Sequence, residues 1–261
     1  MTQFLTVKGA LLEVETFKAE STRAADTALV LLHEGLGCIA LWKDFPQRLA
    51  DKTGLDVVAY SRVGYGNSSP VETPRPLNYM QIEGEDWVPE VLDLLPYKRF
   101  ILVGHSDGGS IALVHSGFNP GERLLGTVTL AAHVHNEPLC VASIEKAKEA
   151  YESGNLREGL ARHHGDNVDC AFWGWNQAWL HPDFLDFNIE EYLPRISVPV
   201  LAIQGEQDEY GSKKQVDTIV ALAGGPSKGL MIPNCRHSIH RDAADTLLDA
   251  INEFSNALII Q

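Results

Sequence analysis

The chain has 261 residues, of which 44% are hydrophobic and 21% charged, the balance of an ordinary folded protein with one sizeable core or two small ones. Its 35 Asp and Glu outweigh 21 Lys and Arg, for a formal net charge of −14. A body this acidic, with no Lys/Arg run, repels phosphate backbones and anionic lipid, so neither nucleic acid nor a membrane surface is expected as a partner.

Cys38, Cys140, Cys170 and Cys235 form no C-x-x-C pair and no metal-type spacing with His. They are expected to be free thiols in a reducing compartment. The first residues lack a basic stretch followed by an apolar one, and no apolar run approaches the ~20 residues that span a bilayer. A cytoplasmic protein is expected.

In chain order, residues 3–16 alternate weakly and predict an antiparallel hairpin turned at Gly9. Short apolar runs follow at 28–32, 56–60, 100–103, 124–130, 199–203 and 229–232, each bounded by Gly, Pro or charge, as strands buried on both faces are. Helical patterns lie between them near 41–53, 79–95, 108–118, 212–223 and 241–257. Strand–helix alternation predicts an α/β fold with a mostly parallel sheet covered on both faces. Residues 133–194 break the rhythm: they carry helical patterns at 141–151, 155–163 and 168–179, with Trp173, Trp175 and Trp179. This stretch is expected to be a helical insertion in one domain whose core is 1–132 and 195–261.

The most informative stretch is Gly104-His105-Ser106-Asp107-Gly108, between a buried strand and a helix. G-x-S-x-G in that setting makes a sharp turn that lifts the serine oxygen clear of the sheet. The glycines remove side chains where strand and helix would collide. Asp107, at the first turn of the helix, complements the helix dipole.

This strand–elbow–helix arrangement resembles the α/β-hydrolase superfamily over nearly the whole chain. Arg62-Val-Gly64-Tyr-Gly66-Asn-Ser68 is similar to the family's R-x-G-x-G-x-S turn. The insertion 133–194 resembles its cap. The resemblance implies nucleophile, acid and base in that chain order: Ser106, then Asp208 after the strand at 200–203, then His237 after the last strand. Glu206, Glu209 and, less so, Glu137 compete for the acid, and His240 lies beside the base at a helix start. An oxyanion hole would take the N–H of Asp107 and one from His33-Glu34-Gly35-Leu36-Gly37. Trp42 sits nine positions after His33, as in the family's His-Gly-x-Gly pattern, so Gly35 is the first choice and Leu36 the second. Glu34 replaces the usual Gly. It either faces the pocket or turns outward onto its own loop, the latter being favoured.

The resemblance therefore implies a cofactor-free, metal-free serine hydrolase of a small carboxylic ester, thioester or lactone. Serine at 106 argues against the branches that use an Asp nucleophile. Glu34, Trp173 and Trp179 are expected to contact the small-molecule substrate. One alternative is carbon–carbon hydrolysis of ring-cleavage diketones, with Arg157, Arg162 and His163-His164 holding an aromatic carboxylate. A ligand receptor or a cofactor-independent oxygenase on the same scaffold is the alternative of a different class.

Overall fold

The computed structural model describes residues 3–118 and 120–259. The chain opens with strands β1 (Gln3–Val7) and β2 (Ala10–Phe17), paired antiparallel. Lys8 and Gly9 between them both have positive φ, at 49° and 82°. Two consecutive positive values suit the right-handed twist of a tight hairpin. The predicted turn at Gly9 is therefore present.

Strands β3 (Thr27–Leu32), β4 (Asp56–Tyr60), β5 (Arg99–His105), β6 (Leu124–Leu130), β7 (Val200–Gly205) and β8 (Ser227–Ile232) complete one sheet. Its order is β1-β2-β4-β3-β5-β6-β7-β8, parallel from β4 to β8. β3, β4 and β7 are buried at every residue, as continuous apolar runs require. β8 departs from the expectation of burial on both faces. It is the sheet's edge, and Lys228 and Gly229 are exposed.

Alternation along the strands splits the core in two. Leu29 and Leu31 of β3 join one cluster with Leu49 of helix α1 (Phe45–Thr53), while Val30 and Leu32 join another on the opposite face. The second cluster takes up α2 (Tyr79–Ile82), a π-helical turn (Glu83–Trp87) and α3 (Val88–Leu94), which run on as one rod. α4 (Asp107–Phe118) is buried on all sides except Phe118, and its sequence carries no continuous polar face.

Between β6 and β7 lie α5 (Pro138–Ser153), α6 (Leu156–His164) and α7 (Val168–Trp179), with no sheet strand among them. Backbone bonds close the base of this segment: Ile189 N–H donates to Val134 O (2.8 Å) and Asn136 N–H to Phe187 O (3.1 Å). α8 (Lys213–Leu222) precedes β8, and α9 (Ile239–Asp242) and α10 (Ala244–Ile259) end the fold. No helix of the described residues is long and apolar enough to cross a membrane.

The strand order reverses around β3. β4 lies on one side of it and β5 on the other, with Leu32 paired to Gly104. The loops after β3 and β5 therefore leave the sheet side by side, at the crevice where open α/β sheets bind ligands.

Candidate active site

Ser106 sits between β5 and α4 with φ at 52°, a left-handed conformation that a serine adopts only under constraint. The constraint is local. Ser106 N–H donates to Leu130 O (2.8 Å), and Ser106 O accepts from Gly109 N–H (2.8 Å) and Ser110 N–H (3.1 Å). A Cβ on Gly104 would run into the Gly108 carbonyl, and one on Gly108 into the Leu32 carbonyl. Both glycines are required by close backbone approach, as the motif implied.

Asp208 and His237 reach the same edge from β7 and β8. The two loops are laced by Glu206 N–H to Ile232 O and Gln207 N–H to Cys235 O, each 2.9 Å. Asp208 Oδ1 and Oδ2 lie 2.9 and 3.1 Å from His237 Nδ1. Oδ1 also accepts from Tyr210 N–H (2.8 Å). Burial pushes the Asp208 carboxyl up, but the His237 bond and charge outweigh it and hold it below its ordinary range. Burial disfavours charged His237, yet the Asp208 contact raises it above its ordinary value. An ionised Asp208 places the His237 proton on Nδ1 and leaves Nε2 as the free base. His237 is nearly covered, with a side chain 12% exposed, and Ser106 is 7% exposed. No direct hydrogen bond joins Ser106 to His237 among the described residues. Such bonds are commonly loose without substrate and tighten on binding.

The rival acids are occupied elsewhere. Glu137 accepts from Ser212 N–H (2.9 Å), Ser212 Oγ (2.6 Å) and Gln215 Nε2 (2.8 Å) at the start of α8. Glu209 accepts from the His237 backbone N–H (3.2 Å) and Arg236 (3.1 Å), and Glu206 is exposed. His240 packs its ring 4.9 Å from Trp42, and burial pushes it down to about 3.

The loop after β3 is held by buried side chains. Arg62, 1% exposed, donates to the His33 carbonyl and to Glu34 O (3.0 Å). A trans peptide sends its N–H opposite to its C=O. Arg62 at the Glu34 carbonyl therefore turns the Gly35 N–H away from itself. Arg62 N–H donates to His33 Nε2 (3.0 Å), so His33 Nδ1 carries the proton and donates to Glu34 O (2.7 Å). His33 is thus a loop brace. His164, on α6, accepts from Gly66 N–H at Nδ1 (3.0 Å), so its Nε2–H donates to Leu36 O (3.0 Å). The helical segment thereby grips both the Arg62–Ser68 turn and the loop.

Glu34 does not turn outward. Its side chain is 20% exposed, its Oε2 lies 3.3 Å from His105 Nδ1, and it crowds Gly37, where a Cβ would strike the carboxylate. The partner is the elbow histidine, which sequence order separates from Glu34 by 71 positions.

Asp107 is fully buried, so its carboxylate does more than face the helix dipole. Tyr79 Oη donates to Oδ2 (2.5 Å) and itself accepts from Trp179 Nε1 (3.0 Å). Burial raises the Asp107 carboxyl above its ordinary range despite Arg62 and Tyr79. Trp179 also sets its ring 5.2 Å from His133, which burial holds down to about 4. Trp173 is placed differently: it packs on Tyr151 (5.5 Å) and Phe172 (5.0 Å) inside the helical segment. Trp175 takes the position at the loop, because a Cβ on Gly35 would strike its indole. Residues 175 and 179 are one helical turn apart and share a face, whereas 173 lies off it. Arg157 is in an exposed ion pair with Asp169 (2.6 Å), and Arg162 is exposed.

A doubly covered, mostly parallel sheet with a strained serine elbow and a hydrogen-bonded Asp–His pair defines a hydrolase-type scaffold. Residues 29–250 match the family described as the alpha/beta hydrolase family, and the chain belongs to it. It is a hydrolase, and the relatives it matches include proteins named serine hydrolase and proline iminopeptidase. It is 28% identical over 245 residues to serine hydrolase BPHL of Homo sapiens, covering 90% of this chain and 81% of that one. Among solved structures, proline iminopeptidase of Mycobacterium smegmatis superposes with a TM-score of 0.75 at 19% identity, over 97% of each chain. The enol-lactonase of Burkholderia xenovorans LB400 superposes with 0.72 at 16% identity, over 97% of this chain and 100% of the other.

Proposed function

We propose that the chain hydrolyses a small carboxylic ester, thioester or lactone through an acyl-enzyme on Ser106. The observation that carries this reading is the Asp208–His237 pair (2.9 Å) at the same sheet edge as a serine held at positive φ. His237 Nε2 takes the Ser106 proton while Oγ bonds to the substrate carbonyl carbon. Asp208 fixes the tautomer and stabilises the imidazolium. The carbonyl oxygen gains negative charge and is held by the N–H of Asp107, at the N-terminus of α4, and by that of Gly35 in the loop after β3. Collapse breaks the bond to the leaving alkoxide or thiolate, which takes the proton from His237. Water, deprotonated by His237, then releases the acid and restores Ser106.

Residues 133–194 act as the cap in this reading. His164 and Trp175 fasten the oxyanion loop from above, and Trp179 faces the interior beside His133. The names of similar proteins, an enol-lactonase and a proline iminopeptidase, make lactones and prolyl arylamides useful additions to a panel of p-nitrophenyl esters and thioesters. At least one ester or lactone is expected to turn over, and Ser106→Ala to lower its kcat/KM by about 10⁴-fold or more. Full activity in Ser106→Ala refutes the mechanism.

A further inference from the structure

His105 precedes the serine, and its side chain is 1% exposed. It lies behind His237, with ring centroids 5.0 Å apart. His105 Nε2 is 3.0 Å from the backbone oxygen of His237, and Nδ1 is 3.3 Å from Glu34 Oε2. A carbonyl oxygen only accepts, so Nε2 carries a proton. The partner at Nδ1 is a carboxylate, which accepts when ionised. Burial pushes Glu34 up, but the His105 bond overrides it and holds Glu34 well below its ordinary range. Both ring nitrogens then face acceptors.

Besides His237, the rings of His240 and Trp42 pack against His105. The His240 ring meets His105 edge-on at 5.2 Å and stays neutral, since burial holds it down to about 3. Trp42 lies 6.2 Å away on the same side, and the Arg62 guanidinium is engaged with the backbone carbonyls of His33 and Glu34. Glu34 belongs to the loop that carries Gly35, His105 to the elbow, and the bonded carbonyl to the loop that carries His237. One part-buried carboxylate–imidazole contact thus joins all three.

We propose that Glu34 and His105 form a second ion pair that positions the reaction centre from behind, with His105 held as an imidazolium that locks the His237 backbone and the Gly35 loop in register with Ser106. These are positioning residues. Their kinetic role rests on the reading of Ser106 and His237 as nucleophile and base. The protonation of His105 does not.

The test combines imidazole ¹⁵N NMR with ester kinetics. In wild-type protein at pH 7.5, His105, assigned by its loss in His105→Gln, is expected to show both ring nitrogens protonated. In Glu34→Gln, Nδ1 is expected to lose its proton while Nε2 keeps it. The same variant keeps shape and hydrogen bonding at residue 34, and its kcat is expected to fall about 10- to 100-fold with KM within about twofold, as loss of positioning does. His105→Gln retains a donor toward the His237 carbonyl and is expected to keep more activity than His105→Leu. A wild-type His105 with an unprotonated Nδ1 overturns the ion pair. Unchanged kcat in Glu34→Gln overturns the positioning role. If Ser106→Ala keeps full activity while the NMR result holds, the mechanism fails and the ion pair stands.

Discussion

The sheet edge and the helical segment contribute to the site by different physics. Ser106, Asp208 and His237 are set by strand ends, whose spacing follows from backbone pairing such as Leu32 with Gly104 and Gly205 with Ile232. His164, Trp175 and Trp179 come from helices and reach the loop and the core through their side chains. Groups built on the ladder are expected to carry the chemistry, and groups from the segment to hold loops and shape the space above them. Substitutions on the two sides should differ in size and in kind.

The largest effect in this comparison belongs to Asp208→Asn. Asn loses the charge and presents an NH2 donor to Nδ1, which favours the wrong His237 tautomer, and kcat/KM is expected to fall about 10³- to 10⁴-fold. The wild-type acid limb of kcat/KM should lie above pH 6.5, because Asp208 raises His237 and the base must be neutral to act. A loss under tenfold, with the limb in place, would remove Asp208 from the mechanism. Next is Gly35→Ala, which pushes a methyl into Trp175. A displaced loop is expected to lower kcat about 10²-fold, and Trp175→Ala in the same chain should recover part of it. No recovery would show that the segment does not set the loop.

Stability should fall between pH 6.5 and 5. His133 and His240, held down to about 4 and 3, stay neutral in the fold while the unfolded chain takes up protons, at up to about 2 kcal/mol each. Asp208, held below its ordinary value, extends the loss at lower pH. His237 acts oppositely: its contribution is full below 6.5 and is lost as pH rises through its raised value. Urea midpoints at pH 7 and pH 5 measure the balance, and a higher midpoint at pH 5 contradicts it. The smallest effect is Trp179→Phe, which removes the donor to Tyr79 Oη. It is expected to lower stability by about 1 kcal/mol and kcat/KM less than tenfold. A larger kinetic loss would move Trp179 from support to the chemistry.

Much of the scaffold was legible because it is written in local patterns. Alternation and short apolar runs marked β3 to β7, and the strand–G-x-S-x-G–helix sequence marked Ser106. The exposure of β8 was not, since an edge strand and a central one differ in what lies beside them. Glu34 was expected to turn outward because its partner, His105, is distant in the chain and meets it only when β3 and β5 pair. Trp173 and Trp175 differ in helical phase: 175 shares a face with 179 at the loop, while 173 packs on Tyr151 and Phe172. Tyr79 is ordinary in sequence, while Arg62 stands out only as part of a turn motif and His164 only as half of a His pair. Their roles arise from backbone carbonyls and a buried carboxylate that the fold presents to them.

The claim on which the rest depends is that Ser106 is the nucleophile. Treating the native protein with a fluorophosphonate and mapping the modified peptide by mass spectrometry tests it directly. The account predicts one adduct, on Ser106, formed at a rate that falls in His237→Ala. An adduct on another residue, or none in a preparation that hydrolyses esters, would contradict it.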